Sequence, residues 1–185
     1  MIYIIDHQDS FTWNVVHQFS EFEKVYCSNY FNLNERLLDK SKIIVLSPGP
    51  GSPKDYPSTS KLYKKYKGKK KIIGICLGYQ QILYCEQANI VQQKIIFHGH
   101  QSSVTVTSNK SLFKKNYKFK VGRYHSLRLK EPFIKKNFEI TMRCSSTHIA
   151  MGFENRKDDV YGFQFHPDSF LTTNGKLLIK KIISA

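Results

Sequence analysis

Three short stretches hold the residue types and spacings that could do chemistry. The first is Gly74-Ile-Cys-Leu-Gly78, where an apolar run leads into a cysteine with a glycine two positions before it and another two after. This is the Gly-x-nucleophile-x-Gly spacing of a nucleophile elbow, here with a thiol. The glycines permit a sharp strand-to-helix turn that pushes the side chain of Cys76 out at the carboxyl edge of a sheet. The helix that follows favours a thiolate and offers free N–H groups to an oxyanion. The second stretch is Phe163-Gln-Phe-His-Pro-Asp168. Alternation along a strand puts Tyr161, Phe163 and Phe165 on one face, and Gly162, Gln164 and His166 on the other. Pro167 ends the strand, so His166 stands at its edge with Asp168 two residues on, close enough to orient the imidazole of a general base. The third is Pro48-Gly-Pro-Gly51 after another apolar run; its glycines and Ser52 supply free donors and allow close backbone approach.

Each stretch also has an ordinary structural reading. Free cysteine is among the most buried residues; Asp168 could cap a helix, and Pro48-Gly-Pro-Gly51 could be a plain turn. Together they are more specific. A thiol nucleophile, a histidine with a carboxylate and a donor-rich loop, each ending a strand, make the parts list for acyl transfer through a thioester.

The elements that must position these residues are readable from hydrophobic patterning. Residues 2–5, Ile43–Leu46 and Lys71–Ile75 are continuous apolar runs, as strands buried on both faces are. Helical patterns follow them: one capped by Ser10 and carrying Phe11, Val15, Phe19 and Phe22, one over 58–67, and one from Cys76 to about Gln87. A weak strand at 24–27 and a short helix at 33–38 lie between the first two runs. After Ile90 the texture changes to short strand-like segments at 104–107, 117–121, 138–142, 150–153 and 160–165, and a helix over 174–183 closes the chain. The expectation is a single α/β domain over residues 1–185, with a mostly parallel central sheet flanked by helices and additional antiparallel strands in the second half.

At 185 residues the chain can bury a sizeable core, and its 41% hydrophobic content is that of a globular protein. No apolar run approaches a membrane span, and the first residues do not resemble a signal peptide. Cys27, Cys76, Cys85 and Cys144 form no Cys-x-x-Cys pair, so neither a structural zinc site nor a disulfide framework is expected. Reduced thiols point to the cytoplasm. The 29 Lys and Arg against 14 Asp and Glu leave +15, compatible with a polyanion or an acidic partner.

From end to end the chain resembles the class I, or triad, glutamine amidotransferases, and within them the small glutaminase subunits of anthranilate synthase and aminodeoxychorismate synthase. The resemblance rests on Asp6-His-Gln-Asp-Ser-Phe-Thr-Trp-Asn14, Leu46-Ser-Pro-Gly-Pro-Gly-Ser-Pro53, Gly74-Ile-Cys-Leu-Gly-Tyr-Gln80, His98-Gly99, Val121-Gly-Arg-Tyr-His-Ser-Leu127 and Gly162-Phe-Gln-Phe-His-Pro-Asp-Ser169. It implies a catalytic set of Cys76, His166 and Asp168. It implies an oxyanion hole from the backbone N–H groups of Gly51 and Leu77 in a glutamine site that includes Gly49 and Pro50, with Gln80, Ser126 and Leu127 on the amino acid end. The implied substrate is L-glutamine, and the implied partner is a larger chorismate-binding synthase subunit in a hetero-oligomer. No cofactor is implied in this chain; Mg is expected only in the synthase partner. The chain departs from the family pattern with Asp168 where Glu is usual, Tyr79 where His is usual, and His98-Gly-His100 in place of His-Gly-Lys. His98 and His100 have no evident third ligand, so no metal site is expected.

Two alternatives stand beside this reading. One is a basic nucleic-acid-binding protein, because residues 61–71 hold seven lysines with two tyrosines between them. No RNA- or DNA-binding motif accompanies them, so nucleic acid is not the expected partner. The other is an amidotransferase-like scaffold whose triad the shorter Asp168 has weakened.

Overall fold

The computed structural model describes residues 1–185. Its first half alternates strand and helix: β1 Ile2–Asp6, α1 Thr12–Ser20, β2 Val25–Asn29, α2 Glu35–Lys40, β3 Ile43–Leu46, a 3-10 turn Pro53–Asp55, α3 Pro57–Tyr66, β4 Lys71–Ile75 and α4 Leu77–Cys85. Then come β5 Ile90–Gln92, β6 His100–Val106, β7 Lys118–Arg123, β8 Leu127–Leu129, β9 Glu139–Cys144, β10 Ala150–Asn155, β11 Val160–Phe163 and α5 Gly175–Ile183. Nine strands form one sheet in the order β2-β1-β3-β4-β11-β10-β9-β6-β7. From β2 to β11 every pairing is parallel; from β11 to β7 every pairing is antiparallel. The expected architecture is the observed one.

Alternation along the parallel strands divides the core in two. Ile2, Ile4, Val45, Ile73 and Ile75 pack on one face with Val15 and Phe19 of α1 and Leu178, Ile179 and Ile182 of α5. Tyr3, Ile5, Ile44, Leu46 and Ile72 pack on the other with Leu38 of α2, Leu62, Tyr63 and Tyr66 of α3, and Ile82 and Leu83 of α4. Burial on both faces is why these strands read as unbroken apolar runs.

Local details differ from expectation. Ser10 does not cap α1. Asp9 takes the Phe11 N–H at 2.8 Å, and Asp6 takes the Gln8 N–H at 2.7 Å and the Thr12 hydroxyl at 2.8 Å. A charged carboxylate is the stronger acceptor for the free donors of a first turn. The last strand is shorter than expected. β11 ends at Phe163, and His166 is held instead by a single antiparallel bridge to Gly122. Most of the lysine-rich stretch has structural work. Lys65 pairs with Glu35, Lys67 with Glu86, Lys70 donates to the carbonyl of Asp39, and Lys71 donates to the Ile182 carbonyl at the end of α5. Four of the seven lysines are thus tied to the protein itself. No helix is long and apolar enough to cross a membrane.

Candidate active site

β1, β3, β4 and β11 are neighbours, and the chain turns from building outward through β2 to building inward through β3 beside β1. That reversal opens a crevice at the carboxyl ends of the strands, where open α/β sheets hold their ligands. Cys76 stands there between β4 and α4 with φ 53° and ψ −101°, a left-handed conformation rare for a side-chain-bearing residue. The flanking glycines make this turn possible. A Cβ on Gly74 would lie 2.5 Å from the backbone of Gly78, and one on Gly78 would lie 2.2 Å from the Leu46 carbonyl oxygen. The Cys76 N–H donates to Phe163 O at 2.8 Å, which ties the elbow to β11.

That tie places the end of β11 against the thiol. His166 is 1% exposed, wedged edge-on between Phe11 and Tyr124. Burial alone would lower its pKa, but the adjacent Cys76 sulfur and the Asp168 carboxylate outweigh it and lift the pKa to about 10. Asp168 has a fully buried side chain whose Oδ1 lies 3.6 Å from His166 Nδ1. This is an ionic contact, longer than a hydrogen bond. Accordingly His166 Nδ1 and both Asp168 oxygens have no hydrogen-bond partner. Gln164 points its Nε2 at the Cys76 sulfur, 3.9 Å away.

The glycine loop is braced from beneath. His7, fully buried, contacts the Ser47 carbonyl through Nδ1 and Thr59 through Nε2, and a Cβ on Gly49 would lie 2.5 Å from it. Burial holds the His7 pKa down at about 4. The Tyr56 hydroxyl donates to Pro50 O at 2.9 Å, and Asp55 takes the Ser52 N–H at 2.8 Å. Gly51 has φ +72°, which glycine adopts without strain. Leu77 is the first residue of α4, so its N–H has no acceptor within the helix.

These parts enclose a cavity of 210 Å³ lined by Asp9, Gly49, Pro50, Gly51, Cys76, Leu77, Gln80, Tyr124, His125, Ser126 and Leu127. Every residue expected on the glutamine side of the site lines it, together with the nucleophile. His166 and Asp168 stand behind the sulfur. Sequence reasoning did not single out Asp9, Tyr124 or His125 as site residues, nor Gln164 behind the cavity. All four lay inside the quoted motifs, but nothing in their spacing shows that they gather at one sheet edge. Tyr79 faces the other way, into the core, its hydroxyl on the Ala150 carbonyl at 3.3 Å. His98 packs edge-on against Tyr124, and His100 edge-on against Phe97.

A buried thiol on a strained elbow, with a histidine beside it and a small cavity in front, suits nucleophilic acyl chemistry, and the family comparison agrees. A model of the class-I glutamine amidotransferase family matches residues 3–185. The chain belongs to this family. Among amidotransferase relatives, anthranilate synthase component 2 of Lactococcus lactis is 35% identical over 188 residues, spanning 100% of this chain and 94% of that protein. Aminodeoxychorismate synthase component 2 of Klebsiella aerogenes is 33% identical over 187 residues, spanning 100% of both. A crystal structure of a glutamine amidotransferase from Thermotoga maritima superposes with a TM-score of 0.71 at 18% identity, covering 90% of this chain and 75% of that one, a likeness of fold alone.

Proposed function

We propose that this amidotransferase is the glutaminase subunit of a chorismate-aminating synthase, working in the cytoplasm. The observation that carries the reading is the cavity lined together by Cys76, Gly51, Leu77, Gln80, Ser126 and Leu127. L-glutamine enters with its carboxamide toward the sulfur. With its pKa near 10, His166 already holds the proton as an imidazolium paired with the Cys76 sulfur, which attacks as thiolate and bonds through Sγ to the carboxamide carbon. The oxyanion takes hydrogen bonds from the Gly51 and Leu77 N–H groups. As the intermediate collapses, the C–N bond breaks and His166 gives its proton to the leaving nitrogen, releasing ammonia. A water activated by the now neutral His166 then cleaves the thioester to glutamate. Asp168 balances the imidazolium charge throughout. The ammonia passes to a larger synthase subunit, which aminates chorismate to anthranilate or to 4-amino-4-deoxychorismate. The two relatives named above are component 2 proteins of these two synthases, and they support this partner class.

The test combines Cys76→Ser with the partner captured from the source cells. The substitution is expected to abolish glutamine-dependent product formation while product still forms from ammonium salts. Full glutamine-dependent activity in Cys76→Ser would overturn the mechanism. Product identification from chorismate and glutamine decides which synthase this subunit serves.

A further inference from the structure

Gln164 was not singled out by its sequence motif, yet it is fully buried and touches both the nucleophile and the substrate side of the site. Its position follows from register. β11 and β4 run parallel with Gly162 opposite Gly74 and Phe163 opposite Ile75, so the residue that follows each strand brings Gln164 beside Cys76.

The direction of its hydrogen bonds follows from one atom that has no choice. The Leu127 carbonyl can only accept. It takes an N–H from Gln80 Nε2 at 3.2 Å, so the NH2 end of Gln80 faces it. The other N–H of that NH2 goes to Gln164 at 3.1 Å and must meet an oxygen, Oε1. The NH2 end of Gln164 therefore turns the other way, to the Cys76 sulfur. With both Gln80 N–H groups occupied, its remaining polar atom is an acceptor, Oε1, and Gln80 lines the cavity.

We propose that Gln164 is a further working residue of this site: its amide donates an N–H to the Cys76 sulfur and locks Gln80 so that only a carbonyl oxygen is offered to the ammonium group of the substrate. The substrate half of this inference rests on the glutaminase reading; the sulfur half does not. A donor aimed at sulfur stabilises negative charge there, and a locked acceptor selects an amino acid by its cationic end.

Two variants separate the roles. Gln164→Glu keeps an oxygen for Gln80 but puts a carboxylate where the sulfur had a donor. Gln164→Met removes both contacts at similar volume. The first measurement is the pH profile of Cys76 alkylation by iodoacetamide, read by mass on the Cys76 peptide with Cys76→Ser as background. Alkylation at pH 7 is expected to fall about tenfold in Gln164→Met and further in Gln164→Glu, with the midpoint of each profile moved to higher pH. The second is glutamine hydrolysis, where KM is expected to rise several-fold in Gln164→Met and to stay near the parent value in Gln164→Glu. Profiles that superimpose on the parent overturn the proposal, as does an equal change of KM in both variants, which marks general loosening. If Gln164→Glu does not fold, an unshifted alkylation profile in Gln164→Met is enough to overturn it. No glutamine hydrolysis by the parent, together with shifted profiles in the variants, would refute the glutaminase reading and leave the sulfur contact standing.

Discussion

Asp168 is one methylene too short for its task. The 3.6 Å gap to His166 leaves a buried carboxylate and a buried ring nitrogen without a hydrogen bond. Leaving such groups unpaired is costly, and without that hydrogen bond the carboxylate does not fix the tautomer of the wedged imidazole. One methylene adds about 1.5 Å of reach, more than enough to close the gap. Asp168→Glu is therefore expected to hold glutaminase turnover at the parent level or raise it by up to about tenfold, the scale of one charge-assisted hydrogen bond. Initial rates of glutamate release check this; a loss of more than tenfold would mean that the pocket has closed around the shorter side chain. His166→Asn removes the base itself and is expected to slow thioester formation by roughly two to four orders of magnitude, measured as a single-turnover burst. At this scale the sequence was informative about chemistry that is written in motifs. Cys76, His166 and the glycines of the Pro48–Gly51 loop are recognisable by type and spacing, whereas Leu77, Gln80, Ser126 and Leu127 entered only through the family resemblance. Gln164 was not, because its role comes from a hydrogen-bond chain whose direction is set by the Leu127 carbonyl, 37 residues earlier in the chain.

The elbow is an element-scale device. Its strand, turn and helix hold Cys76 at φ 53° only because α4 lies hard against the end of β3. A Cβ on Gly78 would lie 2.2 Å from Leu46 O and 2.7 Å from Leu46 Cβ, atoms of a central strand that cannot swing aside. Gly78→Ala is expected to cost about 2 kcal/mol or more of stability, a fall in Tm of roughly 4–8 °C. Calorimetry with the parent as reference decides it, and a Tm within one degree of the parent would show that the helix is not pressed on β3 as described. The same packing explains what the sequence disclosed about elements. β3 and β4 fall within the expected bounds because burial on both faces leaves an unbroken apolar run. The start of α1 and the end of β11 were misjudged because carboxylates and a single bridge set them, and neither leaves a periodic trace. The pairing of β5 with β8 was invisible for a related reason. Three-residue strands carry too little alternation to register.

On the scale of the whole molecule, the loops that build the site rest on histidines that must stay neutral. His7 lies under the glycine loop with its pKa lowered by burial to about 4. His125, in the cavity wall, is held down to about 3 by burial and by the nearby Arg123 guanidinium, which donates to its Nε2. In the unfolded chain both titrate near 6.5. Between pH 6.5 and 4 the unfolded chain therefore binds protons that the folded protein refuses, and stability falls as pH falls through that window, for His125 down to about 3. Across its window His7 accounts for roughly 3 kcal/mol and His125 for roughly 5. The background steepens the effect, because a chain already at +15 repels every added proton. Urea unfolding at pH 7, 5.5 and 4.5 is expected to show a midpoint that drops steadily with acid. Other groups also titrate there, so the comparison that isolates the cause is His7→Asn. This variant loses the contacts to Ser47 and Thr59 and is expected to be less stable than the parent at pH 7, yet to lose less stability on acidification. Parallel curves for parent and variant would show that His7 is not the group that makes the glycine loop acid-labile.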